Sequence, residues 1–338
     1  MKKTIIAILA AAAMVACSND EFVKVADKEP IAFDKAFVNN STRSVYDQTK
    51  TTDNIQNIDV FGFVENVPLF GGDFNRVLIR KADNWGYEGT QYWIPGAHYN
   101  FIAVSPTNGE FASRSKAVVT AQGAKITGFT AHDGILDYVY AQPGTIVGQE
   151  SGNAKVAFTF RHILSKVKFT FVNKYLADNT TIQVHDIKIL NAHKTADLEI
   201  DETTTTWKNQ AGPLVLTFGR ATENEQGANQ VLQHNDAVES YKAQFIIPGA
   251  VEGGYNVEFT YDILVGGTLI KSFTKTVNVP TFAPEAGHAY DLKAEIKPGQ
   301  PIEFTVTKVI DWDEDHDGKE NTPEGDTDGD EQVETPIN

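Results

Sequence analysis

Residues 255–279 read YNVEFTYDILVGGTLIKSFTKTVNV, and this stretch decides the fold class. In its first half every odd position, from Tyr255 to Val265, is apolar. Period two is the pattern of a β-strand with one buried face and one exposed face. Gly266 and Gly267 then separate this run from a second strand-like run, and a tight turn there requires the positive φ that glycine adopts freely. The stretch therefore predicts a β-hairpin.

Similar strand candidates occur along the whole chain. The segment 166–171 repeats the strict alternation, and Gly- or Pro-containing turn signals separate the other candidates. These shorter candidates are 59–64, 99–104, 154–160, 186–190, 244–247 and 290–296. Many short strands with regular turns are typical of antiparallel β-sandwiches, so the sequence predicts an all-β protein.

Composition and charge exclude several kinds of protein. Hydrophobic residues make up 41% of the 338 residues and aromatic residues 10%, which is enough for folded cores. The formal net charge is −16, and this balance argues against a nucleic-acid-binding protein, which would carry a basic patch. Residues 311–338 hold twelve acids and one base, a net of −11, so the other 310 residues carry only −5. The last segment is therefore expected to be an acidic, solvated tail.

A partial internal repeat indicates two domains. The motif IPGA occurs at 94–97 and again at 247–250, and each copy is followed closely by a Tyr-Asn pair. The copies lie 153 residues apart, about the length of one domain, and a boundary near Ser151 would separate them. The predicted organisation is a lipoprotein signal peptide at 1–16, a linker at 17–29, an N-terminal sandwich at 30–150, a C-terminal sandwich at 151–312 and a disordered acidic tail at 313–338.

The N-terminus has the features of an export signal. Lys2 and Lys3 precede an apolar run of eleven residues, which is shorter than the roughly 20 that a membrane-spanning helix needs. The run ends in Met-Val-Ala-Cys at 14–17, which resembles a bacterial lipobox, and Cys17 is therefore the expected lipidation site. The alternative is an ordinary secretory signal with an incidental cysteine. Because the chain has one cysteine, a disulfide framework is excluded.

Catalytic motifs are missing from the sequence. It contains neither a phosphate-binding glycine loop nor a zinc-protease helix motif, and its eight histidines show no metal-ligand spacing. His98, His162 and His288 lie in or beside strand candidates and are interpreted as structural or surface residues. The protein is therefore predicted not to be an enzyme and to need no cofactor.

One motif in the acidic tail matches a calcium-binding loop. The residues that fit the pattern D-x-D-x-D-G-x₅-E are Asp313, Asp315, Asp317, Gly318 and Glu324. A segment this rich in aspartate meets the pattern easily, and no flanking helices are predicted. A calcium site and a plain solvated tail both remain open.

Across residues 17–312 the chain resembles the fimbrillin family, the donor-strand pilus subunits of anaerobic Gram-negative bacteria. The segments that carry the resemblance are IAF at 31–33, STRS at 41–44, VFGF at 60–63, YWIPG at 92–96, YNFIAVSP at 99–106, DYVYA at 137–141, FRHILSKVKF at 160–169, IEFTVT at 302–307 and DW at 311–312. The resemblance implies two tandem transthyretin-like β-sandwiches, export as an outer-membrane lipoprotein and assembly with other pilus subunits at the cell surface. It also implies cleavage by a trypsin-like protease, for which Arg43 occupies the family position.

The last strand candidate is the expected donor. The apolar residues of one face are Ile302, Phe304, Val306, Ile310 and Trp312. Loss of the strand before Arg43 would open a slot for such a segment in a neighbouring subunit. The competing interpretation makes it the last strand of its own second domain, and the acidic tail, which family members often lack, leaves both open.

Three functions follow from this sequence. The first is a pilus subunit or an accessory or tip component, with a role in adhesion to a ligand that the sequence does not identify. The second is a surface lipoprotein that binds glycan without polymerising, for which exposed aromatic side chains would be the binding platform. The candidates are Trp85, Tyr87, Tyr92 and Trp93. A glycan-acting enzyme is the third.

Overall fold

The computed structural model describes residues 29–38, 55–71, 74–176, 179–221 and 230–309, and these residues form an all-β protein. The strands of the first half are β1 (Phe33–Val38), β2 (Asn57–Val64), β3 (Val67–Pro68), β4 (Arg76–Arg80), β5 (His98–Ser105), β6 (Ala117–Thr120), β7 (Gly123–Thr130), β8 (Val139–Ala141), β9 (Ile146–Val147) and β10 (Val156–His162). Short 3₁₀ turns lie at Lys81–Asp83, Glu110–Ala112 and His132–Gly134.

The second half continues with longer strands. They are β11 (Ser165–Asn173), β12 (Thr180–Ile200), β13 (Thr205–Gly219), β14 (Ala237–Glu239), β15 (Gln244–Ile246), β16 (Tyr255–Val265), β17 (Thr268–Val279), β18 (Ala289–Ile296) and β19 (Phe304–Val309). The predicted hairpin is confirmed, because β16 and β17 pair antiparallel and Gly266 and Gly267 both have positive φ at the turn. On β16 the odd residues from Tyr255 to Tyr261 are buried, as the alternation predicts.

The strands form three sheets. The first sheet has the order β1-β10-β8-β5-β2-β3, with β4 also paired to β2 and β9 to β5. The central sheet has the order β17-β16-β12-β7-β6, with β13 on β12. The last sheet has the order β14-β11-β18-β19, with β15 on β11. The predicted sandwich fold is confirmed, since apolar faces of the central sheet pack against both of the other sheets.

Two strand pairs differ from the antiparallel arrangement that the sequence predicted. β1 runs parallel to β10, and β11 runs parallel to β18. Parallel neighbours require a long crossover connection, and local alternation carries no information about such distant partners. Here the crossovers contain most of the first sheet and most of the central sheet, respectively.

The hydrogen-bonded sheets also cross the predicted domain boundary at 151. β10 lies on the C-terminal side of that boundary but pairs with β8 and β1 in the first sheet. β7, from the N-terminal side, pairs with the end of β12 in the central sheet. Alternation identifies β10 as a strand without identifying its neighbours, which is why its place in the first sheet differs from the sequence-based division.

β12 connects two of the three hydrophobic cores of the described residues. Ile182, Val184 and Ile189 are buried in the core beneath the last sheet, whereas Leu198 and Ile200 are buried beneath the first sheet. Its pairing with β16 shifts register between His185 and Lys188, and a bulge of this kind lets a strand bend. One strand of 21 residues therefore belongs to both cores.

Candidate functional site

β1 forms the edge of the first sheet. Within the described residues its strand partner is β10, and the pairing shifts register between Phe33 and Ala36. Phe33, Ala36 and Val38 are buried, while the intervening Asp34 and Lys35 are exposed at the shift. β1 is therefore an edge strand that contributes one apolar face to the core.

Phe33 is the main anchor of β1. Its ring stacks on Phe158 with centroids 5.8 Å apart and makes edge contacts with Phe101 at 5.7 Å and Tyr87 at 5.3 Å. Aromatic pairs at these separations are favourable beyond the area that they bury. Loss of β1 would leave an apolar hole lined by these three rings.

The residues before β1 are also hydrogen-bonded to the body of the protein. Ile31 N–H donates to the Gln91 carbonyl at 2.8 Å, and Trp93 N–H donates to the Glu29 carbonyl at 3.0 Å. The Glu29 carboxylate accepts hydrogen bonds from the backbone and side-chain N–H groups of Asn153, which hold the pKa of Glu29 below its usual value. Residues 29–38 are thus held to the body of the protein by two sets of hydrogen bonds, one to residues 91–93 and Asn153 and one to β10.

β19 forms the edge of the last sheet and pairs antiparallel with β18. Ile302, Phe304 and Val306 are half-buried against the core, and the residues between them are exposed. The Phe304 ring lies 5.5 Å from Phe169, 5.9 Å from Phe259 and 6.1 Å from Phe171, measured between ring centroids. Like Phe33, Phe304 is an aromatic side chain inserted among three other rings.

An ion pair lies near the C-terminal end of β19, where the solvated Lys308 follows the apolar residues of the inner face. Lys308 Nζ is 2.6 Å from Glu285 Oε2, and this contact raises the pKa of Lys308 and lowers that of Glu285. Both side chains are solvated, and exposed ion pairs contribute little to stability. The backbone ladder to β18 and the apolar contacts of Phe304, rather than this ion pair, hold β19 on its sheet.

The structure places some of the predicted site residues and not others. Ile302, Phe304 and Val306 lie on the inner face at the last edge. The remaining predicted site residues lie outside the described residues: Cys17, Arg43, Ile310, Trp312, Asp313, Asp315, Asp317 and Glu324.

The aromatic residues considered as a glycan platform mostly support β1. Trp93 is buried, and Tyr87 packs on Phe33 and donates a hydrogen bond to the Ile31 carbonyl at 3.1 Å. Tyr92 is the exposed exception, with 44% of its surface accessible. Most of these aromatic residues therefore pack in or against the core, as is usual for aromatic residues in a strand-rich sequence.

Sequence reasoning missed a polar cluster between two turns. Glu110 and His132 are 22 residues apart in the chain, and the fold brings the glutamate Oε1 within 3.0 Å of the imidazole Nε2. No spacing rule links these residues, because they meet only after β7 folds back from β6. His162, by contrast, is buried beside Asp137 at 2.9 Å, in keeping with a structural role.

The structure is an all-β sandwich in which the first and last of the described strands, β1 and β19, are both edge strands with aromatic anchors. A model of the fimbrillin-like family matches residues 32–312, which is most of the chain. The chain therefore belongs to the fimbrillin-like family. It is therefore a pilus-like protein of the cell surface, and the family is of a non-enzymatic kind.

Solved structures with a similar chain trace come from species of Bacteroides and Parabacteroides. A proposed cell adhesion protein from Bacteroides uniformis is 19% identical, covering 84% of this chain and 99% of its own, with a TM-score of 0.47. A second from Bacteroides ovatus is 16% identical, covering 85% and 98%, with a TM-score of 0.43. A third from Parabacteroides distasonis is 10% identical, covering 83% and 96%, with a TM-score of 0.44. No curated protein matches the chain.

The helices of the described residues are single 3₁₀ turns, and none is long and apolar enough to cross a membrane.

Proposed function

We propose that this protein is a structural subunit, or an accessory or tip component, of a cell-surface pilus that assembles by strand donation. The observation that carries the proposal is the position of β1. It is the strand that precedes Arg43, and it lies at a sheet edge beside β10. Cleavage after Arg43 would free β1 from the rest of the chain and make its release from the sheet an intermolecular dissociation.

Release of β1 would leave two kinds of unsatisfied surface. The edge of β10 would present unpaired backbone N–H and C=O groups, and the hole left by Phe33 would expose three aromatic rings. An extended segment with alternating apolar residues satisfies both needs, because it supplies ladder hydrogen bonds and side chains for the pockets. A neighbouring subunit is the source of that segment in this proposal.

β19 supplies the matching segment. Its inner residues Phe304 and Val306, together with Ile302 just before the strand, alternate with exposed ones, and its aromatic anchor makes the same kind of contacts as Phe33. In the monomer β19 occupies an edge, so it can leave without breaking a sheet into two parts. The competing assignment keeps β19 permanently on its own last sheet.

The test is controlled cleavage followed by electron microscopy and size-exclusion chromatography. We expect a trypsin-like protease to cut after Arg43, to leave the remainder folded, and to convert monomers into fibres. Arg43→Ala should stay uncleaved and monomeric. Cleavage scattered over many Lys and Arg sites, or fibres that form equally well from Arg43→Ala, would contradict the proposal.

The donor role of β19 is tested with a matched pair of variants. Phe304→Asp places a charge on the inner face, and Thr305→Asp places one on the exposed face of the same strand. We expect Phe304→Asp to abolish fibres and Thr305→Asp to retain them. A chain truncated after Gly299 separates donation from folding: a folded monomer that does not polymerise supports donation, whereas a misfolded one assigns β19 to its own domain.

The membrane anchor is a second part of the proposal. The lipobox at 14–17 supports lipidation of Cys17 and attachment to the outer membrane, because two or more acyl chains give stable anchoring. Replacing Cys17 with Ala should move the protein from the membrane fraction to the soluble fraction. A Cys17→Ala variant that stays in the membrane fraction and is still shortened at residue 16 would show that the anchor is not this lipid.

A further inference from the structure

An apolar patch lies at the end of the first sheet where β1, β5 and β10 begin. Tyr92 and Ile94 are each 44% exposed, Val147 is 49% exposed, and Pro30 is exposed beside them. Pro30 forms an isolated bridge with Tyr92, and the turn at 94–97 is hydrogen-bonded to Gly148, the residue after Val147. We call Pro30, Tyr92, Ile94 and Val147 the entry patch. Single exposed apolar residues are normal on protein surfaces, whereas a group of four on adjoining segments requires an explanation.

The outward direction of Tyr92 and Ile94 is fixed by their neighbour Trp93. Trp93 is buried, and its ring meets that of Tyr99 edge-on at 4.7 Å. Ile94 N–H donates to the Tyr99 hydroxyl at 2.8 Å, and Trp93 N–H donates to the Glu29 carbonyl at 3.0 Å. Because successive side chains of an extended chain point in opposite directions, the inward Trp93 places both of its neighbours outside. These two apolar side chains are therefore held toward solvent by the fold.

The entry patch surrounds the point where the chain from Cys17 reaches the folded body. Glu29 is bonded to Trp93, between Tyr92 and Ile94, and twelve residue steps separate it from Cys17. At about 3.3–3.6 Å per residue, Glu29 can lie no farther than about 43 Å from a lipid on that cysteine. A short tether of this kind raises the concentration of the patch at the membrane to about the millimolar range. A patch too small to bind a membrane on its own would then be held there.

The chemistry of the entry patch suits the boundary between lipid headgroups and acyl chains. Tyrosine combines an apolar ring with a polar hydroxyl and is enriched at that boundary in membrane proteins. The carboxylate of Glu29 is hydrogen-bonded to Asn153 beside the patch, and Glu150 is exposed in the same turn. Anionic lipids would repel these carboxylates, so the patch matches a lipid surface without net charge.

We propose that the entry patch rests on the lipid bilayer in the uncleaved protein. The inference rests on the lipid anchor of the proposed function and adds which face the protein turns toward the membrane. Tyr92, Ile94 and Val147 contact the bilayer while β1 is in place and the tether is intact. Cleavage after Arg43 would remove the tether together with Pro30 once β1 dissociates, so the same cut that frees the β10 edge also releases the patch from the membrane.

The experiment attaches the uncleaved chain, from Cys17 to its C-terminus, to phosphatidylcholine vesicles through a maleimide lipid that reacts with its one thiol. Hydroxyl-radical oxidation, read by mass spectrometry, then reports the exposure of individual side chains. We expect oxidation of Tyr92 and Val147 to fall several-fold relative to the free chain. Leu269 and Ile270, which are 55% and 62% exposed on β17, should be oxidised as in the free chain. The coupling supplies the anchor chemically, so this result is independent of whether cells lipidate Cys17, which fractionation of Cys17→Ala decides separately.

A matched pair of double variants separates the entry patch from other exposed apolar residues. Tyr92→Ser with Ile94→Ser should return the oxidation of Val147 to the level of the free chain, whereas Leu269→Ser with Ile270→Ser should leave Val147 protected. All four substitutions are at exposed positions, where the fold tolerates them.

Three results would overturn the proposal. The first is equal oxidation of Tyr92 and Val147 in the tethered and free chains, and the second is continued protection of Val147 in Tyr92→Ser with Ile94→Ser. The third is protection that requires a high density of chains on the vesicle or that also occurs in concentrated free protein, because it would assign the entry patch to a second copy of the chain.

Discussion

Replacement of Phe169 with alanine is expected to lower the free energy of unfolding by about 3–5 kcal/mol, the typical cost of removing a fully buried aromatic ring. Phe169 lies on β11 and is fully buried. Its ring meets Phe218 edge-on at 4.7 Å and Phe304 at 5.5 Å, so its removal leaves a cavity between the central and last sheets. The loss should also loosen β19, because Phe304 would lose one of its three aromatic neighbours.

The measurement is urea unfolding of the variant beside Phe273→Ala. Phe273 belongs to the same half of the protein but lies half-buried on the edge strand β17, where Lys271 and Lys275 cover its ring. Its truncation should cost about 1 kcal/mol, since edge side chains lose little burial. If Phe169→Ala destabilised the protein no more than Phe273→Ala, our description of the core around β11 would be wrong.

Arg76→Met is expected to lower the free energy of unfolding by about 3 kcal/mol at neutral pH, the lower end of the range for a broken buried ion pair, because Arg76 is partly exposed. Asp59 is 2% exposed, and Arg76 Nη1 donates to its carboxylate at 2.8 Å. The other hydrogen bond to that carboxylate comes from Asn108 N–H at 2.9 Å. Without Arg76 the carboxylate would remain buried with its charge uncompensated.

The cost of Arg76→Met should depend on pH. Burial already raises the pKa of Asp59 above its usual value, and loss of the arginine should raise it further. When folding raises the pKa of a carboxyl, the folded protein becomes less stable as the pH rises from the unfolded-state pKa through the folded-state pKa. The destabilisation caused by Arg76→Met should therefore shrink as the pH falls toward about 4, the ordinary pKa of aspartate. Asp59→Asn in the Arg76→Met background should restore most of the stability. A penalty that is constant between pH 4 and pH 7 would contradict this explanation.

Local patterns in the sequence correctly predicted the secondary structure that depends on residues close together in the chain. The β16–β17 hairpin follows from alternation and two glycines, and the burial of Ile302, Phe304 and Val306 follows from period two. These strands have one buried and one exposed face, so alternation reports them directly. At the hairpin the glycines also supply the positive φ of the turn, and the two signals agree. Family resemblance then indicated the function, which composition alone left open.

Features that depend on distant partners were beyond this reasoning. β10 pairs in parallel with β1, more than 100 residues away, and either strand would look the same beside another neighbour. The length of β12 was missed because the positive φ of Asp186 and three register shifts against β13 interrupt its alternation. The contact between Glu110 and His132 could not be predicted from the sequence, because the two residues lie in separate turns that only the fold brings together.

The continuity of β12 has a mechanical consequence. Its first half is fixed in one core by β16 and its second half in the other core by β7, while β13 lies alongside the middle and end. A tensile load that passes between the cores therefore runs along one covalent backbone. The backbone hydrogen bonds that join β12 to its neighbouring strands would then be loaded in shear, so they would resist the load together. If the cores were instead separate domains joined by a hinge, such hydrogen bonds could break one after another.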